Sequence, residues 1–152
     1  MAAASPEQSG VSGVTHGSAE RPARRLAGPL LTFDLAGQSA QVRQEASWQQ
    51  HGHDAKTLVK GQGLRVVLIS LQAGAALAEH RAPGPITLHV LRRQVEVHAA
   101  GQMVTLPVGQ VLALEAGLPH AVQAVMESDV LLTLAGAGYS GPASAPEHGA
   151  GW

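Results

Sequence analysis

The chain has 152 residues, of which 45% are hydrophobic and 14% charged, and its formal net charge is −1. This length gives room for one domain with a hydrophobic core, and the apolar fraction excludes a disordered chain. Cysteine is absent, which excludes disulfides and thiol chemistry, and no apolar run approaches the roughly 18 residues of a membrane-spanning helix. No membrane partner is therefore expected. Aromatic residues make up 3% of the chain and the basic residues form no stripe, so a nucleic acid is not expected as a partner either.

Both ends of the chain differ in composition from the middle. Residues 1–28 are rich in Ala, Ser, Gly, Glu and Pro without apolar periodicity, which predicts a flexible leader, and residues 138–152 predict a flexible tail. The leader has neither the basic n-region nor the apolar h-region of a secretory signal. We therefore expect a single domain over residues 29–137 in a cytoplasmic protein.

The predicted elements begin with a strand over residues 30–35 and one short helix in the polar, Gly- and Pro-free segment 38–50. Short β-like runs follow, separated by Gly, Pro or charged residues, and this spacing predicts a β sandwich or barrel. The alternation in residues 94–98 is typical of a strand with one wet and one buried face. The predicted strands after the helix are 57–60, 64–71, 86–91, 94–98, 103–106, 111–114, 120–126 and 130–134.

The glycines do not have the spacing of a phosphate-binding loop. The dinucleotide fingerprint and the Walker pattern are both missing, so no nucleotide cofactor is expected. No serine is flanked by glycines as in a nucleophile elbow. Nucleophilic hydrolase chemistry is therefore not indicated.

Histidine is the most promising residue type, since the chain has eight. Five of them have an ordinary interpretation: two fall in the predicted tails, a His-x-His pair falls in a predicted loop, and one lies on the polar face of its strand. These are His16, His148, His51, His53 and His98.

Two other histidines each follow a glycine at a set distance. Five residues separate Gly74 from His80, and a stretch from Gly109 through Gly117 leads to His120. Glycine lets the backbone turn tightly beside a strand end. Both stretches therefore predict an imidazole held near the axis of a barrel.

These stretches resemble the two motifs of the cupin superfamily. One motif reads Gly, five residues, His-x-His, three or four residues, Glu, six residues, Gly; the other reads Gly, five residues, Pro-x-Gly, two residues, His, three residues, Asn. The second is similar to Gly109, Gly117 and His120, with Glu115 for Pro and Ala124 for Asn, and the first to Gly74 and His80. Between them, residues 90–97 resemble the family's hairpin, with Arg93 in place of Gly. The resemblance covers about residues 57–135 and implies an all-β, antiparallel jelly-roll barrel, here with a short N-terminal helical segment and flexible tails.

The resemblance implies a metal site that this sequence fills incompletely. Cupins usually hold a divalent metal with three His and one Glu, and the matching positions here are His80, Ala82, Ile86 and His120. Two imidazoles bind divalent metals weakly without a further ligand. If a metal is held, Mn, Fe, Ni or Zn is expected.

His89 is the candidate for the missing ligand, because it lies three residues after Ile86 on the same predicted strand. Strand side chains alternate, so a regular strand with Ile86 inside turns His89 outward. A bulge after residues 83–85 would reverse this. The predicted metal-site residues are therefore His80, His120 and His89.

Three functions remain open from the sequence. The first is a small-molecule-binding barrel with a degenerate or weak metal site. The second is a metal-dependent oxygenase, decarboxylase or isomerase acting on a small organic substrate. The third is a metal-free enzyme with a His base, which lacks an evident Tyr or Asp partner. No catalytic residue is identified from the sequence.

The apolar residues expected on the outer face of strand 66–71 would be exposed in a single barrel. They therefore predict a homodimer.

Overall fold

The computed structural model describes residues 29–61 and 63–136. The predicted leader, the predicted tail, His16 and His148 lie outside these residues. Within them, two short helices precede nine strands. The helices are α1 (Leu35–Val42) and α2 (Ala46–His51), and the strands are β1 (His53–Gly61), β2 (Leu64–Leu71), β3 (Ala76–His80), β4 (Ile86–Arg92), β5 (Gln94–Ala99), β6 (Gln102–Pro107), β7 (Val111–Leu114), β8 (His120–Ala124) and β9 (Ser128–Ala135).

The strands form two antiparallel sheets. The large sheet has the order β1-β2-β9-β4-β7, and the small sheet has the order β3-β8-β5-β6. Neighbours that are distant in sequence, such as β2 and β9, pair over their whole length. The predicted all-β antiparallel jelly roll with a short N-terminal helical segment is confirmed.

The core lies between the inner faces of the two sheets. Alternate residues of each strand are buried there, as period-two alternation requires. The largest cluster of buried side chains draws on both sheets: Val67, Ile69, Leu71, Ile86, Leu88, Val90, Val130, Leu132 and Leu134 from the large sheet, and Leu77, Val95, Val97, Leu106, Val122 and Ala124 from the small one.

The N-terminal segment differs from its prediction. Residues 30–34 are not a strand, and α1 begins at Leu35. The predicted helix over 38–50 is interrupted at residues 43–45, so it forms two helices instead of one. Phe33 and Leu35 pack against Leu58 and Leu68. This apolar segment therefore contributes to packing on the outer face of the large sheet without joining it.

The same packing bears on the predicted homodimer. Val66 and Leu68 on the outer face of β2 belong to the cluster that includes Phe33 and Leu35. The apolar outer residues of this strand are thus covered by the chain's own N-terminal segment. These residues therefore give no reason to expect a dimer, and the homodimer stays a prediction.

Most strands lie where the sequence predicts them: β4, β5 and β6 differ from the predicted bounds by one residue at one or both ends, and β8 and β9 by up to two. Two differences are larger. β2 and β7 have the predicted bounds, but β1 starts at His53, four residues earlier than predicted. His51 therefore ends α2 and His53 begins β1, whereas the sequence predicted a loop for both. β3 was not among the predicted runs. None of the helices in the described part of the chain has the length and apolar character that crossing a membrane requires.

Candidate functional site

A β-bulge in β3 positions the first histidine of the site. Leu77 pairs with Val122 of β8, and His80 pairs with His120, so three steps along β3 match two steps along β8. The extra residue lies at positions 78–79. Directly opposed residues of an antiparallel pair face the same side of the sheet. His80 therefore shares the inner face with Leu77, and Glu79 is exposed.

His80 and His120 lie in direct contact. Their ring centroids are 4.3 Å apart, and the rings meet edge to face at an interplanar angle of 63°. His120 is only 3% exposed and shares the inner face of β8 with Val122 and Ala124, whereas His80 is half-buried. The structure thus places both imidazoles on the inner face, at the ends of β3 and β8, and brings them into contact.

Each imidazole is oriented by a backbone carbonyl two residues earlier. Nδ1 of His80 lies 2.8 Å from the carbonyl oxygen of Ala78, and Nδ1 of His120 lies 2.9 Å from that of Leu118. A carbonyl can only accept a hydrogen bond, so both Nδ1 atoms carry the proton. In the neutral rings Nε2 is then the atom with a lone pair.

The environment keeps His80 neutral. Burial lowers its pKa below the ordinary value of 6.5 because the charged ring loses solvation. The hydrogen bond to Ala78 opposes this, and the neighbouring His120 adds to the lowering. At neutral pH the pair therefore includes a neutral imidazole at His80.

The connections between the sheets meet at the same end of the barrel as the two histidines. Residues 81–85 lead from His80 to β4, and residues 115–119 lead from β7 to His120. The two connections are joined by a hydrogen bond from the amide of Gly117 to the carbonyl of Ala82, 2.8 Å long. We call this end of the barrel, which also contains Ile86 and Leu114, the histidine end.

A surface depression of about 510 Å³ adjoins the histidine end. It is lined by Glu79 and Pro119, which precede the two site histidines, and by residues 98–103 at the β5–β6 turn. Ala99 in this set is the cross-strand neighbour of His120. The histidine pair thus lies close to an indentation of the protein surface.

Comparison with solved structures identifies the architecture. A protein of unknown function from Streptococcus pyogenes is 29% identical over 57% of this chain and 75% of that one, with a TM-score of 0.53. An RmlC-like cupin from Desulfovibrio desulfuricans is 24% identical over 60% of this chain and 90% of its own, with a TM-score of 0.54. The chain has the cupin fold.

A third similar structure is an enzyme. Salicylate 1,2-dioxygenase from Pseudoaminobacter salicylatoxidans, in an adduct with gentisate, is 18% identical over 68% of this chain with a TM-score of 0.61. The present chain spans 32% of that protein, so the likeness shows the fold alone. No protein-family model matches the sequence, and no curated protein matches it.

The cupin motif positions that lack a donor are filled by packed apolar groups. Ala82 is 8% exposed and Ile86 is 4% exposed, and both belong to the core cluster. Among residues 29–61 and 63–136, no three His, Cys, Asp or Glu side chains are grouped so that they could hold a metal ion. The residues present do not supply the four ligands that usually hold a metal in cupins.

His89 lies away from the histidine pair. Leu88 and Val90 on either side of it are buried in the core, so His89 is on the outer face of β4, opposite Val111 and Leu131. The bulge in β4 comes after Val90, too late to turn His89 inward. The structure therefore brings two of the three predicted metal-site residues together, and His89 is not one of them.

Two cations at the histidine end, Arg65 and Lys60, were not predicted from the sequence. Arg65 is two residues before Val67, which lies in the core, and it pairs with Lys60 on one side and Leu134 on the other. Leu134 in turn pairs with Ile86. Positions 66 and 68 of β2 are apolar as well as 67, 69 and 71, so alternation alone does not mark Arg65 as inward-facing.

Proposed function

We propose that the protein is a cupin-fold small-molecule-binding protein whose polar anchor is the pair of His80 and His120. One observation carries this proposal: two contacting imidazoles, each oriented by a carbonyl, lie at the end of a barrel whose core cluster is apolar. Concave apolar sites with a few oriented polar groups are typical of small-molecule binding. The surface depression is lined by Glu79 and Pro119, the residues that precede the two histidines in the chain.

The chemistry of the pair favours a ligand with a hydrogen-bond donor. Because Nδ1 of each ring is engaged by a carbonyl, Nε2 is the position that accepts a hydrogen bond from a ligand hydroxyl or amide. The surrounding Val, Leu and Ile side chains favour an apolar ligand body. With only two donors, any divalent metal bound there is held weakly.

The proposal is tested by following the imidazole C–H resonances of His80 and His120 by NMR while a panel of small hydroxylated compounds is added. We expect saturable shifts of both resonances with at least one compound. His80→Ala and His120→Ala should each weaken binding about tenfold, the effect of losing one hydrogen bond that desolvated groups make. His89→Ala is the matched control and should bind like the wild type. Loss of binding in His89→Ala equal to that in His120→Ala would contradict the proposal.

A metal-dependent enzyme is the second candidate function. The observation that favours it is again the pair of Nδ1–carbonyl contacts, since metal-ligating histidines commonly donate their other ring N–H in this way. The reaction would be an oxygenation, decarboxylation or isomerisation of a small organic substrate, with Mn, Fe, Ni or Zn as the metal.

Elemental analysis of protein purified without chelator separates the two candidates. For a binding protein we expect far less than one metal ion per chain, and no difference between wild type and His120→Ala. A near-stoichiometric transition metal that is lost in His120→Ala, but retained in His89→Ala, would favour the enzyme. A cytoplasmic location and a homodimer remain predictions from the sequence.

A further inference from the structure

We propose that the surface depression beside the β5–β6 turn is a second binding site, for a small organic cation with an aliphatic body and one primary ammonium group. Glu79 and His98 are the side chains that would hold the ammonium group. This site goes beyond the proposed function, because His80 and His120 lie on the inner face of the small sheet and His98 lies on its outer face.

Alternation along β5 and β6 places two side chains of this site on the outer face. Val97 and Leu106 are buried in the core, so His98 and Met103, which are directly paired, face outward. His98 is exposed and Met103 is 60% exposed. Glu79, in the bulge of β3, is exposed as well and lines the same depression.

Glu79 and His98 border one open space. They lie on β3 and β5, with β8 between the two strands. Neighbouring strands are about 4.8 Å apart, so the two backbones are about 10 Å apart. Ala121 is the residue of β8 that pairs with His98, and its methyl group is too short to fill the gap. The depression of about 510 Å³ is within the size range of small-molecule sites.

The charge of the small sheet favours a cation in this space. Its four strands contain two carboxylates, Glu79 and Glu96, and no Lys or Arg. Neither Glu79 nor His98 has a hydrogen-bond or ion-pair partner among the described residues. Arg81, the nearest cation in the sequence, donates a hydrogen bond to the carbonyl of Gly117, 3.3 Å away. A concave surface whose fixed charge is negative attracts cations.

The donors and acceptors point to an ammonium group. An ammonium offers three N–H donors, a carboxylate accepts only, and a neutral imidazole has one accepting nitrogen. Ala99, Ala100 and Pro119 supply apolar contacts for the body of the ligand. In the described part of the chain, no third His, Cys, Asp or Glu joins Glu79 and His98 in a group that could hold a metal ion. An organic cation is therefore favoured over a metal.

The experiment compares hexylamine, hexanamide and hexanoate, which have equal chains and differ in the head group. Each is titrated into the full chain at neutral pH, and binding is followed by NMR at the His98 C–H and Met103 methyl resonances. We expect hexylamine to bind about fivefold more tightly than hexanamide, as a favourable ion pair in contact with solvent implies, and hexanoate to bind most weakly. Added salt should reduce this preference.

Substitutions separate the lining carboxylate from the general charge of the sheet. Glu79→Gln keeps the shape of the side chain and should reduce the amine–amide ratio below about twofold. Glu96→Gln is the matched control: it removes one negative charge from the same sheet, from a residue that does not line the depression, and should retain the ratio. His98→Gln, read at the Met103 methyl group, should weaken hexylamine binding about threefold. Circular dichroism establishes that each variant is folded.

The outcomes at this site are independent of those at the histidine pair. An ammonium preference that survives in Glu79→Gln, or that Glu96→Gln reduces equally, overturns the second site. Hexylamine that leaves the His98 and Met103 resonances unchanged also overturns it, whatever the hydroxylated panel does at His80 and His120. Failure of that panel with an ammonium preference that depends on Glu79 would overturn the proposed function and leave the second site.

Discussion

His80 is buried enough for its environment to decide its charge. Burial lowers its pKa, the hydrogen bond to the Ala78 carbonyl acts in the opposite direction, and His120 adds a smaller repulsive contribution. The centroid of the His120 ring lies 4.3 Å from that of the His80 ring, so a positive charge on His80 would be close to a second titratable group. His80 is therefore suited to accept a hydrogen bond near pH 7 and not to act as a cation.

A pH titration tests this. The His80 C–H resonance should titrate with a midpoint below 6.5. The unfolded chain then binds more protons than the native protein between pH 6.5 and the folded pKa, so the free energy of unfolding should fall as the pH drops through this window. His80→Gln should remove that part of the pH dependence. A His80 midpoint at or above 6.5 would contradict the account of its burial.

The two site histidines could be predicted from sequence, but their neighbours could not. Glycine spacing pointed to His80 and His120 together, and alternation alone placed His89 outward unless a bulge intervened. The bulge occurs, but in β3 at residues 78–79, where it brings His80 inward. Arg65 was missed because a charged residue at the start of a strand is ordinarily solvated, and only its pairing with Leu134 shows that it belongs to the inner row.

At the scale of elements, the β5–β6 turn contains one residue that suits its backbone angles, Gly101, and one that does not, Ala100. Ala99 pairs with Gln102, so Ala100 and Gly101 form a two-residue turn, with φ of 50° and 71° respectively. Both central residues have positive φ, as in a type I′ turn, where Asn-Gly is preferred. Alanine in the left-handed region is destabilised by about 1 kcal/mol or more relative to residues that tolerate it.

Ala100→Asn should therefore stabilise the protein by about 0.5–1 kcal/mol, since Asn adopts left-handed backbone angles more readily and is common at this turn position. The measurement is the free energy of unfolding from urea denaturation. Gly101→Ala is the converse change and should destabilise by about 1–2 kcal/mol. An Ala100→Asn variant no more stable than the wild type would show that the turn residue does not limit the hairpin.

The elements that were mispredicted lack strong local signals. β3 reads Ala-Leu-Ala-Glu-His, with no β-branched residue and a bulge that disrupts alternation, so nothing local marks it as a strand. Its pairing with β8, forty residues later, supplies the missing stabilisation. Residues 30–35 are apolar like a strand but pair with none: Phe33 and Leu35 pack beside the sheet, whereas Leu30 and Leu31 are exposed.

At the scale of the whole molecule, a charged cluster ties the N-terminal helix to the barrel. Asp129 on β9 accepts hydrogen bonds from Arg43 just after α1, from Nε of Arg92 on β4 at 2.9 Å, and from Oγ of Ser70 on β2 at 2.7 Å. Glu127 lies 3.1 Å from Arg43 Nε and accepts from Arg92 at 3.0 Å. The two carboxylates contact the same two arginines but differ in burial.

This difference predicts unequal effects of two matched substitutions. The Asp129 side chain is 5% exposed and that of Glu127 is 42% exposed. Asp129→Asn removes the buried charge that both arginines share and should destabilise the fold by about 3 kcal/mol, because the two arginines lose the buried one of their two carboxylate partners. Glu127→Gln should reduce stability by less than about 1 kcal/mol, as for exposed ion pairs.

Urea denaturation of both variants gives the free energies, and amide hydrogen exchange in residues 35–51 shows whether the helices loosen. We expect exchange in the helices to rise more in Asp129→Asn than in Glu127→Gln, since Arg43, just after α1, contacts the large sheet through Asp129. If the two substitutions reduce stability equally, burial does not decide the strength of this cluster. If only Asp129→Asn loosens the helices, the apolar packing of Phe33 and Leu35 is insufficient by itself to hold them on the barrel.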